Sequence, residues 1–180
     1  SYYGFLSSHI LKKPLNIVDI PYKADKNYLQ ELSSKLEIKR IYELYVLGKK
    51  REARKELQYI FEHSDIKDLN SLNVLFKNWG WSEGAILGYG NTKYFDDGKA
   101  RFPVLYENYF DKYSDSNIEK SLLLGIARKE SIFIQYAKSS AGALGIMQVL
   151  PGTAYWVLKK AKMKKVSKNY LYNRNMNIFI

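Results

Sequence analysis

The chain has no cysteine and only two histidines, His9 and His63, among its 180 residues. Disulfide staples, thiol nucleophiles and the usual zinc-ligand spacings are therefore excluded, and a Ser-His-Asp arrangement has little to draw on. Chemistry has to come from carboxylates, hydroxyls, amides or lysines. The lack of cysteine leaves the compartment open, because such a chain tolerates oxidising and reducing surroundings alike. Long apolar runs are scarce too. Ser139 to Leu158 carries no formal charge, but Gly142, Gly145, Pro151 and Gly152 break it, so it suits a turn-rich segment better than a membrane-spanning helix. Ser1 to Ile10 has no basic stretch followed by an apolar core, and no signal peptide is expected in it.

Acidic residues are also in short supply. There are 18 Asp plus Glu against 29 Lys plus Arg, a net charge of +11. The excess is uneven: residues 1–100 hold 16 basic and 13 acidic side chains (+3), and residues 101–180 hold 13 and 5 (+8). Such a balance favours anionic partners without choosing among nucleic acid, membrane and acidic polymer. The rest of the composition, 46% hydrophobic and 15% aromatic, is that of an ordinary globular protein.

The hydrophobic pattern is helical from about residue 25, which predicts an all-α fold. Residues 1 to about 24, with Pro14 and Pro21, show little periodicity. Asp25 is placed to cap a helix running through Leu29, Leu32, Leu36, Ile41, Leu44 and Leu47 to Gly48. Further helices are expected over 50–63, from Asp68 or Asn70 to Trp79, and from Trp81 toward Leu87. Gly88 to Gly98 reads as a linker, and a domain boundary is expected near residue 100. Tyr42, Tyr45, Tyr59, Phe61, Trp79 and Trp81 are read as core rather than as a binding platform.

After Pro103, a short helix to Tyr113 is followed by Ser116-Asn117-Ile118-Glu119, which has the form of a capping box. Ile118, Leu122 and Ile126 then recur every four residues as one buried stripe, and the same step lands on Glu130. An unpaired carboxylate in an apolar setting is costly. The ordinary reading of Glu130 is a helix-terminal side chain turned to solvent or paired with Arg128 or Lys129. The functional reading is a general acid. The downstream residues favour the second, because Ser139-Ser-Ala-Gly142-Ala-Leu-Gly145 is a small-residue loop that lets a bulky ligand approach the backbone closely. Pro151 opens another helix through Ala154, Val157, Leu158 and Ala161. The basic run from Lys159 to Lys168 is most simply a solvated helix end, or else a support for carboxylate-rich peptides.

Two segments carry a family resemblance. Ala127-Arg128-Lys129-Glu130-Ser131, and the run Gly142-x-x-Gly145-x-Met147-Gln148-x-x-Pro151-x-Thr153-Ala154 that begins just after Ser139, together resemble the paired signature of soluble lytic murein transglycosylases. More weakly, Arg101-Phe102-Pro103 is similar to the start of that family's catalytic domain. Ser1 to Leu6 is similar to part of its helical superhelix, and Leu171 to Ile178 to a later motif that usually has proline where Arg174 stands. Leu150 departs from a frequent methionine.

The resemblance implies a superhelix tail and linker domain over 1–100 and the N-terminal part of a lysozyme-like catalytic domain over 101–180. The family would continue beyond Ile180 with more helices and an Ala-Tyr-Asn-Ala-Gly motif, so the chain is expected to be an internal portion. It also implies a periplasmic enzyme without cofactor or metal. That enzyme cleaves the β-1,4 bond between N-acetylmuramic acid and N-acetylglucosamine in peptidoglycan, leaving a 1,6-anhydromuramoyl end. Carried over residue by residue, Glu130 would be catalytic, Ser139 and Gln148 would bind the substrate, Met147 would line the cleft and Ser131 would support Glu130.

A one-carboxylate mechanism agrees with the sequence itself, because no Asp or Glu comes after Glu130 and Glu119 lies eleven residues upstream, about 16 Å along a helix. Ordinary glycosidases set two carboxyl groups roughly 5 to 10 Å apart. Expected partners are glycan strands and muropeptides rather than nucleic acid. Two alternatives stay open at this point: a goose-lysozyme-type hydrolase that uses water, and a basic helical module binding nucleic acid or cell-wall polymer.

Overall fold

The computed structural model describes residues 2–14 and 18–180, with the side chains of residues 2–5 left aside. Part of the Ser1–Leu6 resemblance thus lies outside the described residues. The chain divides into two compact units, Ser1–Phe102 and Pro103–Ile180. Among the described residues every regular element is helical, and β-structure is limited to two isolated bridges. No helix among them is long and apolar enough to cross a membrane.

The first unit contains α1 (Tyr2–Leu11), α2 (Lys26–Ser34), α3 (Leu36–Val46), α4 (Lys50–His63), α5 (Ile66–Asn78), α6 (Ser82–Gly90) and the short α7 (Gly98–Arg101). Several local expectations are corrected here. A helix, α1, occupies the aperiodic N-terminal stretch. The long helix expected from Asp25 to Gly48 is two helices, broken at Lys35, whose ψ is 138°. Just before the break, the Ser33 and Ser34 hydroxyls donate to the carbonyls of Gln30 and Glu31, the local competition that makes serine a poor interior helix residue. The cap of α5 is Asp65, which accepts from the Asp68 amide, rather than Asp68 or Asn70.

Leu32, Ile38, Ile41, Leu57, Leu72 and Phe76 form a single core, and fully burying an aliphatic or aromatic side chain of this kind contributes ~1.5–3 kcal/mol. Trp81 is wholly buried in it, with its ring 5.2 Å from Tyr45 and 5.4 Å from Phe76. Tyr42 and Tyr59, also expected in the core, are exposed. The Gly88–Gly98 stretch is no loose linker. A Cβ on Gly88 would fall 1.8 Å from the Asn73 side chain, so this glycine lets α6 lie close on α5, and one on Gly84 would fall 2.6 Å from the ring of Trp81, the N-cap of α6, which folds back over the first turn of the helix. Beyond them Asp97 is buried, accepting from Tyr89 Oη at 2.6 Å and from Lys77 Nζ at 3.2 Å. Burial, and then the bond to Asp97, push the Tyr89 phenol well above its usual range.

The second unit comprises α8 (Glu107–Tyr113), α9 (Lys120–Ser131), α10 (Pro151–Lys160), a 3-10 turn (Lys168–Tyr172) and α11 (Arg174–Phe179). The expected capping box does not form. Glu119 caps α9, and Asp115 accepts from the amides of Asn117 and Ile118 instead. The stripe on α9 is corrected as well: Ile118, Leu122 and Ile126 are 43%, 57% and 38% exposed, and Glu130 is exposed with them. The helix turns its adjacent stripe inward, with Leu123 half-buried and Ala127 and Ser131 buried. Small side chains on that stripe allow the next loop to close onto the helix.

Candidate active site

The site is built where α9 ends. Ser131 is its last residue, and its Oγ donates to the Ile146 carbonyl at 2.7 Å, with a longer contact of 3.3 Å to the Ala127 carbonyl one turn back. This ties the helix end that carries Glu130 to the glycine-rich loop. Ile132 and Phe133 come next with φ of 54° and 61°, two successive left-handed residues that stop the helix abruptly. Such strain needs support. Phe133 is 1% exposed and meets Phe110 of α8 edge-on at 6.3 Å, which supplies it.

The loop is a short, tightly bonded ribbon. Leu144 and Val149 exchange both backbone hydrogen bonds at 3.0 Å, and Leu144 also bridges to Lys138. At the tip Ser139 Oγ accepts from the Ala143 amide at 3.0 Å, so that side chain shapes the turn. Gly142 and Gly145 have φ of 84° and 78°, values that favour glycine. Gln148, itself left-handed, donates from Nε2 to the Gly145 carbonyl at 2.8 Å. Met147 is half-buried and packs against a small cluster of Leu144, Val149, Ala154 and Leu171. Met147 and Gln148 therefore sit on one loop that Ser131 fastens to the end of α9, with Ser139 on its rim.

One residue that joins this site gave no signal of its own in the sequence. Asn177, on α11 and 1% exposed, accepts from the Met147 amide at 2.7 Å and donates to the Leu144 carbonyl at 2.9 Å. It clamps the ribbon on both sides of Gly145, where an added Cβ would lie 2.5 Å from both Asn177 Nδ2 and the Leu171 carbonyl oxygen. The only hint was its place in the Leu171–Ile178 segment. Arg174 is accounted for too. It holds the first position of α11, which proline suits, and instead donates from Nε to Gln135 at 2.8 Å while its guanidinium lies 4.6 Å from the Tyr106 ring.

The carboxylates of this unit are strongly segregated. Of the five in Pro103–Ile180, four gather at the far end of α9. Glu107 and Asp111 pair with Lys120 at 2.7 and 2.8 Å, and the hydrogen bonds that its ammonium donates to Asp111 and then Glu107 raise its pKa. Asp115 accepts from the Asn117 and Ile118 amides in the turn before α9, and Glu119 holds the N-cap position of the helix. Lys120 and Glu130 are ten residues apart on one helix, about 15 Å. Glu130 is thus the one carboxylate of this unit at the loop. Among the described residues no group of three or more His, Asp or Glu side chains is placed to hold a metal ion.

Comparison with known proteins agrees with this architecture. Residues 31–97 match the soluble lytic murein transglycosylase L domain, and residues 107–179 match the transglycosylase SLT domain. The soluble lytic murein transglycosylase of Escherichia coli K12 is 32% identical over 142 residues, covering 76% of this chain and 21% of that protein. An inactive mutant of the lytic transglycosylase Slt from Pseudomonas aeruginosa superposes with a TM-score of 0.92 at 27% identity, covering 99% of this chain and 29% of that one. The 70-kDa soluble lytic transglycosylase in complex with bulgecin A gives a TM-score of 0.83 at 26% identity, with 99% and 29% covered. The chain spans less than a third of the length of these relatives. With both domain models matched in order and the fold reproduced from end to end, the chain belongs to the soluble lytic murein transglycosylase family.

Proposed function

We propose that the protein to which this chain belongs is a periplasmic lytic transglycosylase of peptidoglycan, with Glu130 as its single acid and base. The protonated Glu130 carboxyl gives its proton to the glycosidic oxygen as the bond from that oxygen to the muramoyl anomeric carbon breaks. The carbonyl oxygen of the substrate's own N-acetyl group stabilises the anomeric carbon. Glu130, now ionised, takes the proton of the sugar's primary hydroxyl, whose oxygen attacks the anomeric carbon, displaces the acetamido oxygen and closes the 1,6-anhydro ring. Proton and bonds balance without water, and Glu130 returns to its starting form. Ser131 holds the end of α9 against the loop, while Ser139, Gln148 and Met147 shape the wall that receives the sugar.

The observation that carries this reading is the isolation of Glu130 from every other carboxylate of its unit, since a two-carboxylate glycosidase needs a partner within roughly 10 Å. Further support comes from the Pseudomonas aeruginosa relative, whose inactive mutant carries glutamine in place of a glutamate. The exposed Leu122 and Ile126 share a face of α9 with Glu130, and in this reading further helices of the catalytic domain cover that face and enclose the acid. The complete protein should release anhydro-ended muropeptides, and Glu130→Gln should lower that release by at least ~100-fold, the scale of general acid–base catalysis. Mass spectrometry of the products decides. Reducing-end products, heavier by one water, or substantial turnover by the variant would overturn the proposal.

A further inference from the structure

Three hydrogen bonds of the second unit close into a ring. Ser131 Oγ donates to the Ile146 carbonyl at 2.7 Å, and the next residue of the loop, Met147, donates its amide to Asn177 Oδ1 at 2.7 Å. One turn back along α11, Arg174 donates from Nε to Gln135 Oε1 at 2.8 Å. Gln135 follows Ser131 by four residues, so the path returns to its start. The backbone arcs that complete it, 131–135, 146–147 and 174–177, are short. Glu130 comes immediately before this ring and Gln148 immediately after its loop arc, so the proposed acid and the loop wall are attached to one closed frame.

The first two links are made by buried side chains, Ser131 and Asn177. The third is half-buried and is built from several contacts. Gln135 uses both ends of its amide on the segment that enters α11, accepting from Arg174 and donating from Nε2 to the Tyr172 carbonyl at 3.0 Å. The Arg174 guanidinium also lies 4.6 Å from the ring of Tyr106, the left-handed residue (φ 57°) that precedes α8. Among the described residues Arg174 makes no ion pair, and no Asp or Glu follows Glu130. Held by a neutral amide and an aromatic face, its planar fork fixes a direction without bringing a second carboxylate to the site. The arc 131–135 needs such an anchor, because Ile132 and Phe133 within it have φ of 54° and 61°.

We infer that Gln135 and Arg174 are positioning residues for the reaction, closing the frame that holds Glu130 in register with Met147 and Gln148. The inference takes the reaction from the reading proposed above and the frame from these three bonds. A general acid must come within hydrogen-bond reach of the oxygen it protonates, and a displacement of about 1 Å can cost ~100-fold in rate. Opening one corner of the ring leaves the other two links in place, so the expected loss is smaller and falls on kcat rather than on substrate binding.

The test uses the complete protein with soluble, uncrosslinked murein glycan strands as substrate, and reads kcat, KM and the mass of the released ends. Arg174→Met and Gln135→Met should each lower kcat at least about fivefold, with KM within about twofold of the parent. The double variant should be no slower than the slower single, since both substitutions open the same link. Gln135→Glu keeps an acceptor for Arg174 and should stay within about threefold of the parental kcat, but should fall as far as Gln135→Met once Arg174→Met is also present. Amide exchange at Met147 should quicken at least about threefold in Arg174→Met while the amides of α10 keep their rates, which separates an opened frame from an unfolded unit. Parental kcat and parental Met147 exchange in Arg174→Met would overturn the inference. So would a raised KM at unchanged kcat, the mark of a residue that binds sugar, losses that add in the double variant, or exchange quickened equally in α10. A parent that leaves reducing ends would instead refute the reading of the reaction, and the exchange comparison would still judge the frame.

Discussion

Asn177→Ala is the sharpest test of how the site is held. The substitution removes an acceptor 2.7 Å from the Met147 amide and a donor 2.9 Å from the Leu144 carbonyl, both from a side chain 1% exposed. Leaving a buried backbone group without its partner costs about 1–3 kcal/mol, so the pair is worth about 2–6 kcal/mol to the closed ribbon. Amide hydrogen exchange at Met147 reads this locally. At 1.4 kcal/mol per factor of ten, the lower bound corresponds to about 30-fold faster exchange, while amides of α4, in the other compact unit, keep their rates. Asn177→Asp sharpens the comparison, since a carboxylate still accepts from Met147 but, when ionised, cannot donate to Leu144. Its Met147 amide should remain better protected than in the alanine variant. Unchanged Met147 protection in Asn177→Ala would refute the clamp.

Two further perturbations test the loop and the first unit. Gly145→Ala meets both a left-handed φ of 78° and a backbone oxygen 2.5 Å from the new Cβ, whereas Gly142→Ala meets a φ of 84° and open space. Left-handed strain alone costs roughly 1–2 kcal/mol, so denaturant titration should find Gly142→Ala that much less stable and Gly145→Ala less stable again by a clear margin. In the first unit, the Tyr28 hydroxyl donates to Asp68 at 2.5 Å, and this bond, with burial second, pushes the phenol up to about 12. A folded-state pKa raised above the unfolded value near 10 gives stability that is whole below pH 10 and is lost as pH climbs toward 12. Tyr28→Phe should flatten that alkaline decline in a pH series of unfolding midpoints, and an identical decline in the variant would remove Tyr28 as its source.

Helices and their approximate ends were legible because their signals are local: apolar spacing, Asp25 as a cap, Pro151 at a first turn. The misplacements have equally local causes. Asp65, Asp68 and Asn70 stand close together as competing caps, and only the actual φ and ψ select Asp65. The continuous apolar spacing across Lys35 hid a break that the serine hydroxyls and backbone dihedrals reveal. Asn177 was illegible for a different reason, since its partners lie 30 and 33 residues away and a polar side chain in an apolar segment carries no sign of which backbone it will satisfy.

On α9 the limit is periodicity itself. Leu122 and Ile126, whose spacing continues back to Ile118 before the helix, and Leu123, Ala127 and Ser131 form adjacent rows at the same spacing of four, so spacing cannot decide which faces inward. Apolar size favours the first row. The structure buries the second, because Ala127 and Ser131 are small enough for the loop backbone to lie against them and for Ser131 Oγ to reach the Ile146 carbonyl. Close approach of backbone, rather than apolar area, settles the orientation of this helix within Pro103–Ile180. The same choice leaves Glu130 on the exposed row with two large apolar side chains, Leu122 and Ile126. A carboxylate there stands open to solvent, with apolar side chains as its neighbours on the helix.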